Sequence, residues 1–182
     1  MRRFLSKAIP NFDRVLLVES GARQLFEDLL RGLYKVHPNM RADLLTCYAG
    51  VPERYRTDRG RVYRVGDYHG ARARRKLYAE LKANHYNVVG IICAAQPIMT
   101  RWKWAVAAHV PAKVFVLNEN GDYFWLDRGH LGIIRKFILF RAGLSGAGAV
   151  RTLARIFAFP FAFLYLVLYA ATVHLRRKLR TL

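Results

Sequence analysis

The sequence predicts an α/β fold: one parallel sheet of about five strands in the order 3-2-1-4-5, then an amphipathic helix and a hydrophobic membrane helix. Short apolar runs rich in β-branched residues alternate with segments of helical periodicity, a pattern typical of a sheet that helices cover on both faces. Right-handed crossover connections favour that strand order. A later run of twenty residues contains no Lys, Arg, Asp or Glu.

The clearest βαβ unit lies between Tyr86 and Asp127, where an apolar strand, a short helix and a second apolar strand follow one another. Upstream, Ser20 and Gly21 turn the chain from the first strand into the first helix, which His37 and the following proline end. The predicted strands are 14–19, 41–47, 62–65, 88–94 and 112–117, and the predicted helices are 22–36, 70–84 and 100–108.

The composition changes after Asp127. Residues 130–142 predict an amphipathic helix, with Leu131, Ile134, Phe137 and Ile138 on one face. Residues 156–175 form the uncharged run, whose length matches a bilayer span of about 20 residues. We therefore predict a Rossmann-like domain at 1–128, an amphipathic helix and linker at 129–150, and a membrane helix with a basic tail at 151–182.

Basic residues flank the uncharged run on both sides, so the positive-inside rule does not orient it. A spanning helix and an interfacial or re-entrant helix both stay open. A buried core helix is less favoured, because the run is apolar all round. The chain opens without a secretory signal, and we expect the N-terminal domain on the cytoplasmic side of the membrane.

Thirty-one Lys and Arg against twelve Asp and Glu give a net charge of +19, which calls for an anionic partner. Residues 53–76 hold nine basic residues interleaved with tyrosines. Anionic lipid headgroups are the favoured partner of this stretch, ahead of a solvated face and of single-stranded nucleic acid. No metal is predicted, because the six histidines lack metal-ligand spacing. The first turn has a single glycine instead of G-x-G-x-x-G, so no dinucleotide cofactor is predicted either.

Polar residues follow three of the predicted strands, at the carboxyl edge where open α/β sheets bind ligands. They predict a site for a sugar or a phosphorylated ligand, with Arg23 pairing the anion and Glu19 or Glu119 as weak candidates for a general base. A cap and turn at Ser20–Arg23, and a simple turn at Asn118–Asn120, are the structural alternatives. The predicted ligand-binding residues are Ser20, Gly21, Arg23, Gln96, Asn118, Glu119 and Asn120.

The strings FDRVLLVE, RADLLTC, YNVVGIIC and VPAKVFVLNENGDYF resemble the N-terminal half of two-domain GT-B glycosyltransferases, and the heptosyltransferase-like type is the nearest. The resemblance covers roughly Asp13 to Asp127 and is topological. The family has a Gly-Asp pair after its first strand, where this chain has Glu19-Ser20-Gly21-Ala22, so the catalytic acid is not carried over. A hydrophobic segment follows here in place of the donor-binding half.

This resemblance implies a membrane-anchored, glycosyltransferase-like module in cell-envelope glycan or lipid-linked sugar assembly. Such a module would need a protein partner for the donor half of the reaction. The alternative is a non-catalytic, Rossmann-like binding or scaffold protein at the membrane surface, which recognises an anionic metabolite or another protein.

Overall fold

The computed structural model describes residue 6 and residues 8–94, 96–145 and 148–180. The chain divides into two compact units, Met1–Leu131 and Gly132–Leu182, which are described separately. The strands are β1 (Arg14–Val18), β2 (Arg41–Thr46), β3 (Val62–Arg64), β4 (Val88–Cys93), β5 (Lys113–Asn118) and β6 (Tyr123–Trp125). The helices are α1 (Arg23–Val36), α2 (Gly70–Ala83), α3 (Thr100–His109), α4 (Leu131–Arg141) and α5 (Gly148–Arg180).

The first unit contains one six-stranded sheet of order β3-β2-β1-β4-β5-β6. The predicted α/β class and the order 3-2-1-4-5 are confirmed, because β1 to β5 pair in parallel in that order. The sheet is mixed rather than wholly parallel, since β6 adds an antiparallel strand at the β5 edge. A tight turn at Gly121, whose φ of 82° favours glycine, returns the chain for this pairing.

The core lies on both faces of the central strands. Four consecutive residues of β1, Val15 to Val18, are fully buried, and every residue of β4 is buried. Helix α1 packs Phe26 and Leu30 onto the sheet, and α2 packs Leu77 and Leu81. Each such side chain contributes about 1.5–3 kcal/mol by leaving water. Strands buried on both faces explain why the sequence shows continuous apolar runs instead of alternation.

The second unit consists of α4 and α5. Within α5, Val150–His174 forms a stretch of 25 residues with a mean hydropathy of 2.1 and no buried share. By length and composition, this helix is apolar enough to cross a membrane. Helix α4 exposes Ile133 and Phe140 as well as the predicted face residues Leu131 and Ile138, so its apolar surface is wider than the sequence predicted.

Candidate functional site

The predicted site residues after β1 are engaged with the protein itself. The Glu19 side chain is fully buried, and its Oε1 lies 3.0 Å from Arg23 Nε in an ion pair. Thr46 Oγ1 donates to Glu19 Oε2 at 2.5 Å. Arg23 Nη2 also donates to the carbonyl of Gly50 at 3.0 Å, and its guanidinium lies 4.9 Å from the ring centroid of Tyr48. Arg23 therefore ties the ends of β1 and β2 together.

Ser20 and Gly21 join β1 to β4. Ser20 Oγ donates to the Ile92 carbonyl at 2.8 Å and accepts from the Ile92 amide at 3.1 Å. A Cβ on Gly21 would lie 2.4 Å from Ile92 Cγ2, so the close approach of the two segments requires glycine there. The buried ammonium of Lys103 donates to the same Ile92 carbonyl at 2.8 Å. These side-chain hydrogen bonds hold the chain after β1 against β4, beyond the last paired residues of the two strands.

Asn118 closes the β5–β6 hairpin. Its Oδ1 accepts from the amides of Asn120 and Asp122, both at 2.9 Å, which is the geometry of a side-chain-stabilised turn. Glu119 and Asn120 are exposed on that turn, and Gln96 is exposed after β4. The structure thus brings Glu19, Ser20, Gly21 and Arg23 together. In the described part of the chain, the contacts of Arg23 lie toward β2 and not toward Gln96 or Asn118.

A different cluster of charge lies at the opposite, amino edge of the sheet. Arg14 and Arg41 are the first residues of β1 and β2 and are register partners. Both are exposed, and neither guanidinium has a hydrogen bond or ion pair to any residue that the structure describes. They line a polar cavity of about 780 Å³, which we name the arginine pocket and whose walls are Arg14, Asn39, Arg41, Asp43, Thr57, Asp58, Arg59, Gly60, Arg61, Asn84 and Tyr86.

The other charged side chains of the arginine pocket form hydrogen bonds or ion pairs within the protein. Asp43 accepts from the Arg61 amide at 2.8 Å and from the Tyr86 hydroxyl at 2.5 Å. Burial raises the pKa of Tyr86, and its hydrogen bond to Asp43 raises the pKa further, so Tyr86 remains a phenol that donates. Asp58 lies 3.6 Å from Arg59 Nε. Neither Arg14 nor Arg41 forms an ion pair with a described residue, although the carboxylates of Asp43 and Asp58 line the same cavity.

A third group of charges is buried where β5 begins and β6 ends. Lys113 Nζ lies 2.9 Å from Asp127 Oδ2, and the two side chains are 3% and 1% exposed. Lys113 also donates to the carbonyl of Ala8 at 2.7 Å. Asp127 Oδ1 lies 2.7 Å from Nδ1 of His130. Burial alone would raise the pKa of Asp127, but hydrogen bonds from His130 and Lys113 outweigh it and lower the pKa to about 2.

Protein-family models, curated proteins and solved structures contain no match to this chain. The resemblance to a GT-B half therefore stays a prediction. Within the residues that the structure describes, no group of three or more His, Cys, Asp or Glu side chains is placed to hold a metal ion.

Sequence reasoning missed the arginine pocket and the buried Lys103. The sequence signal for the arginine pocket is that two predicted strands, RVLLV and RADLL, each begin with arginine. That signal needs the register of β1 against β2, which the sequence pattern does not supply. The burial of Lys103 depends on how α3 packs, and the sequence of a short helix does not indicate whether a lysine in it is buried.

Proposed function

We propose that this protein is a membrane-anchored, Rossmann-like binding module that recognises a phosphate-bearing anion. The observation that carries the proposal is the pair of neighbouring arginines, Arg14 and Arg41, which line one cavity and form no ion pair with a described residue. Guanidinium groups bind phosphate through two parallel hydrogen bonds, with both geometric and electrostatic complementarity. The ligand class is thus defined by charge and by hydrogen-bond geometry.

The free pocket is electrostatically unfavourable by itself. Neighbouring strands lie about 4.8 Å apart, so the bases of the Arg14 and Arg41 side chains are held close. Like charges held near one another at a protein surface repel. A phosphate between the two guanidiniums converts that repulsion into two attractions.

Membrane attachment is the second part of the proposal. Helix α5 exposes a continuous apolar surface, and the chain carries a net charge of +19. An apolar helix inserts through burial of its side chains, while basic residues are attracted to anionic headgroups. We propose that the Rossmann-like domain lies at the cytoplasmic face of such a membrane.

A binding role accounts for the carboxyl edge better than a catalytic one. Glu19, one of the two candidate bases, is fully buried and held by Arg23 and Thr46. A general base must reach the proton that it abstracts, within about 3 Å or through one water molecule. Glu19 has both carboxylate oxygens committed to the protein, which supports recognition without chemistry at this position.

The glycosyltransferase-like module in lipid-linked sugar or cell-envelope glycan assembly is the second candidate. It is favoured by the adjacency of β1 and β4, which forms a switch point of the kind where α/β sheets bind ligands. Glu119 is exposed at the carboxyl end of β5 on the same edge. This candidate needs a partner for the donor half, so the purified chain alone should not turn over a nucleotide-sugar. Multiple turnover by a homogeneous preparation would favour the enzyme.

Pyrophosphate binding to the full-length protein in nanodiscs, measured by calorimetry, tests the first candidate. A charge-assisted hydrogen bond is worth about 1.5–3 kcal/mol, so Arg14→Gln and Arg41→Gln should each weaken binding roughly tenfold or more. Arg72→Gln is the matched control, because Arg72 is an exposed arginine of α2 outside the pocket. Unchanged affinity in the Arg14→Gln/Arg41→Gln double variant, or no saturable binding by the wild type, would overturn the proposal.

A further inference from the structure

An apolar groove lies between α1 and the β5–β6 hairpin. It encloses about 470 Å³ and includes Leu25, Leu29 and Val36 from α1 with Phe115, Leu117 and Trp125 from the strands. This volume falls within the range of small-molecule pockets, about 300–1,000 Å³. Among the described residues, the ionisable side chains in its walls are Asp28, His37 and Tyr123. The groove therefore suits an uncharged, hydrocarbon ligand.

Helix α1 carries two apolar stripes that pack against the core to different extents. Phe26 and Leu30 are buried, whereas Leu25 and Leu29 are half-buried and face the groove. The second stripe continues at Gly32 and Val36, at the i, i+4, i+7, i+11 spacing of one helix face. The second stripe thus packs partly against the core and leaves the rest of its apolar surface open to the groove.

Gly32 is the unusual residue of that stripe. Glycine in a helix interior lowers helix stability relative to alanine. Among the described residues, and apart from the adjacent residues and the nearby backbone of the helix itself, no atom lies within 4 Å of the position that a Cβ on Gly32 would take, so packing does not require a glycine. Gly32 lines the groove, and a large side chain there would project into it. The absence of a side chain keeps the groove open along the helix.

The groove leads to the arginine pocket. A second cavity of about 470 Å³, the linking cavity, shares Ile9, Phe12, Val36 and His37 with the groove. The linking cavity also shares Asn39 with the arginine pocket. The apolar groove and the arginine pocket therefore adjoin through the linking cavity, whose walls also include Asn11 and Asp13. That arrangement is complementary to an amphiphile with a hydrocarbon chain and an anionic head.

We propose that the apolar groove and the arginine pocket form one continuous site for an anionic membrane phospholipid. One acyl chain lies in the groove against Leu29 and Trp125, and the phosphate lies against Arg14 and Arg41. The phosphate half of this site rests on the proposed function, whereas the groove half rests on the apolar walls alone. A membrane phospholipid is the occupant because α5 is apolar and long enough to bring the chain to a bilayer.

Photo-cross-linking tests this site. Full-length protein is reconstituted in vesicles of phosphatidylcholine and phosphatidylglycerol, with a diazirine on an acyl chain of the phosphatidylglycerol. After irradiation, adducts are mapped by peptide mass spectrometry. We expect adducts on the α1 stripe 25–36 and on the hairpin 121–125, in addition to adducts on α5. The α5 adducts report membrane insertion separately from occupancy of the groove.

Two variants at one position provide a matched pair. Gly32→Phe should fill the groove and reduce groove adducts at least tenfold, while α5 adducts stay unchanged. Gly32→Ala adds a single methyl group and should retain groove adducts. Both changes replace a helix-interior glycine at a position with open space, so both variants should fold. The Arg14→Gln/Arg41→Gln double variant should reduce groove adducts about tenfold if the head and the chain bind together.

Several results would overturn the proposal. Adducts on α5 without adducts in the groove would reject the phospholipid site. If the same preparation still bound pyrophosphate, the proposed function would stand. A groove filled by an apolar protein segment would also leave the groove unlabelled in Gly32→Ala. Groove adducts that persist in Gly32→Phe would place the chain elsewhere. Groove adducts that persist in the arginine double variant would show that the acyl chain binds without the phosphate contact, and would reject a single continuous site. Labelling by a diazirine polyprenyl phosphate but not by phosphatidylglycerol would reject the phospholipid.

Discussion

The two edges of the parallel sheet hold charge in different ways. At the carboxyl edge, Glu19 and Arg23 neutralise each other, and Thr46 donates to the carboxylate. At the amino edge, Arg14 and Arg41 lie side by side and line a cavity, and neither forms an ion pair with a residue that the structure describes. The edge that usually binds ligands in this architecture is thus the one that the protein has closed with its own bonds. Unpaired charge, more than topology, indicates where an anion would bind.

Position on an edge does not by itself decide which role a charge has. Lys113 is the first residue of β5, as Arg14 and Arg41 are the first residues of β1 and β2. Yet Lys113 is buried and paired with Asp127. We therefore expect paired charges to affect stability and unpaired charges to affect binding. Substitutions at both kinds of charge test this separation.

The largest effect on stability should come from Asp127→Asn. The change leaves the buried Lys113 ammonium without its counter-ion, and breaking a buried ion pair costs about 3–5 kcal/mol. We expect the free energy of unfolding to fall by about 3 kcal/mol, measured by urea unfolding followed by tryptophan fluorescence. His130→Gln is the control, because His130 is partly exposed and lies on the other carboxylate oxygen. A loss below about 1 kcal/mol would contradict a structural role for the pair.

Glu19→Gln should have the next largest effect. Glu19 is buried, but the side chain of Arg23 is 37% exposed, so water can solvate the guanidinium that the change leaves behind. We expect a loss of about 2 kcal/mol in the free energy of unfolding, below the range for a fully buried pair. Calorimetry should show unchanged pyrophosphate binding. Lost binding with unchanged stability would move the ligand site to the carboxyl edge.

Acid should weaken the protein through Asp127. Its pKa falls from an ordinary value of 3.8 to about 2 in the folded chain, so the ionised carboxylate favours the folded state. This contribution of about 2 kcal/mol is fully present above about pH 4 and is lost as the pH falls through about 2. Urea unfolding between about pH 5 and pH 2 should show the gap between wild type and Asp127→Asn narrowing by that amount. A gap independent of pH would contradict the assignment.

The smallest effect should come from Asn118→Ala. The change removes two hydrogen bonds that the Asn118 carbonyl accepts in the β5–β6 hairpin. Because the hairpin is exposed and water replaces part of the loss, we expect a cost of about 1 kcal/mol. Asn120→Ala on the same turn should change stability by less than about 0.5 kcal/mol. Equal losses in both variants would show that Asn118 is no more important to the turn than its neighbour.

The strand order could be read from the sequence because apolar runs and helical segments alternate regularly and crossovers have a fixed hand. Strand β6 could not, because Tyr123–Trp125 directly follows a polar turn and suits a pocket wall as well as a strand. The candidate site was placed on residues with suitable chemistry, of which Glu19 and Arg23 proved to be each other's partners. The periodicity of apolar residues indicates which faces of a helix or strand are buried, but it does not indicate which charged side chains form ion pairs.

The central position of β1 has a consequence for the order of folding during synthesis. Val15 pairs with Ala42 on one side and with Val88 on the other, so one edge of β1 stays open until β4 has been made. An open edge of an apolar strand is a template for pairing with other chains. Nascent chains that stop before Val88 should therefore aggregate, and those that include β4 should become resistant to protease.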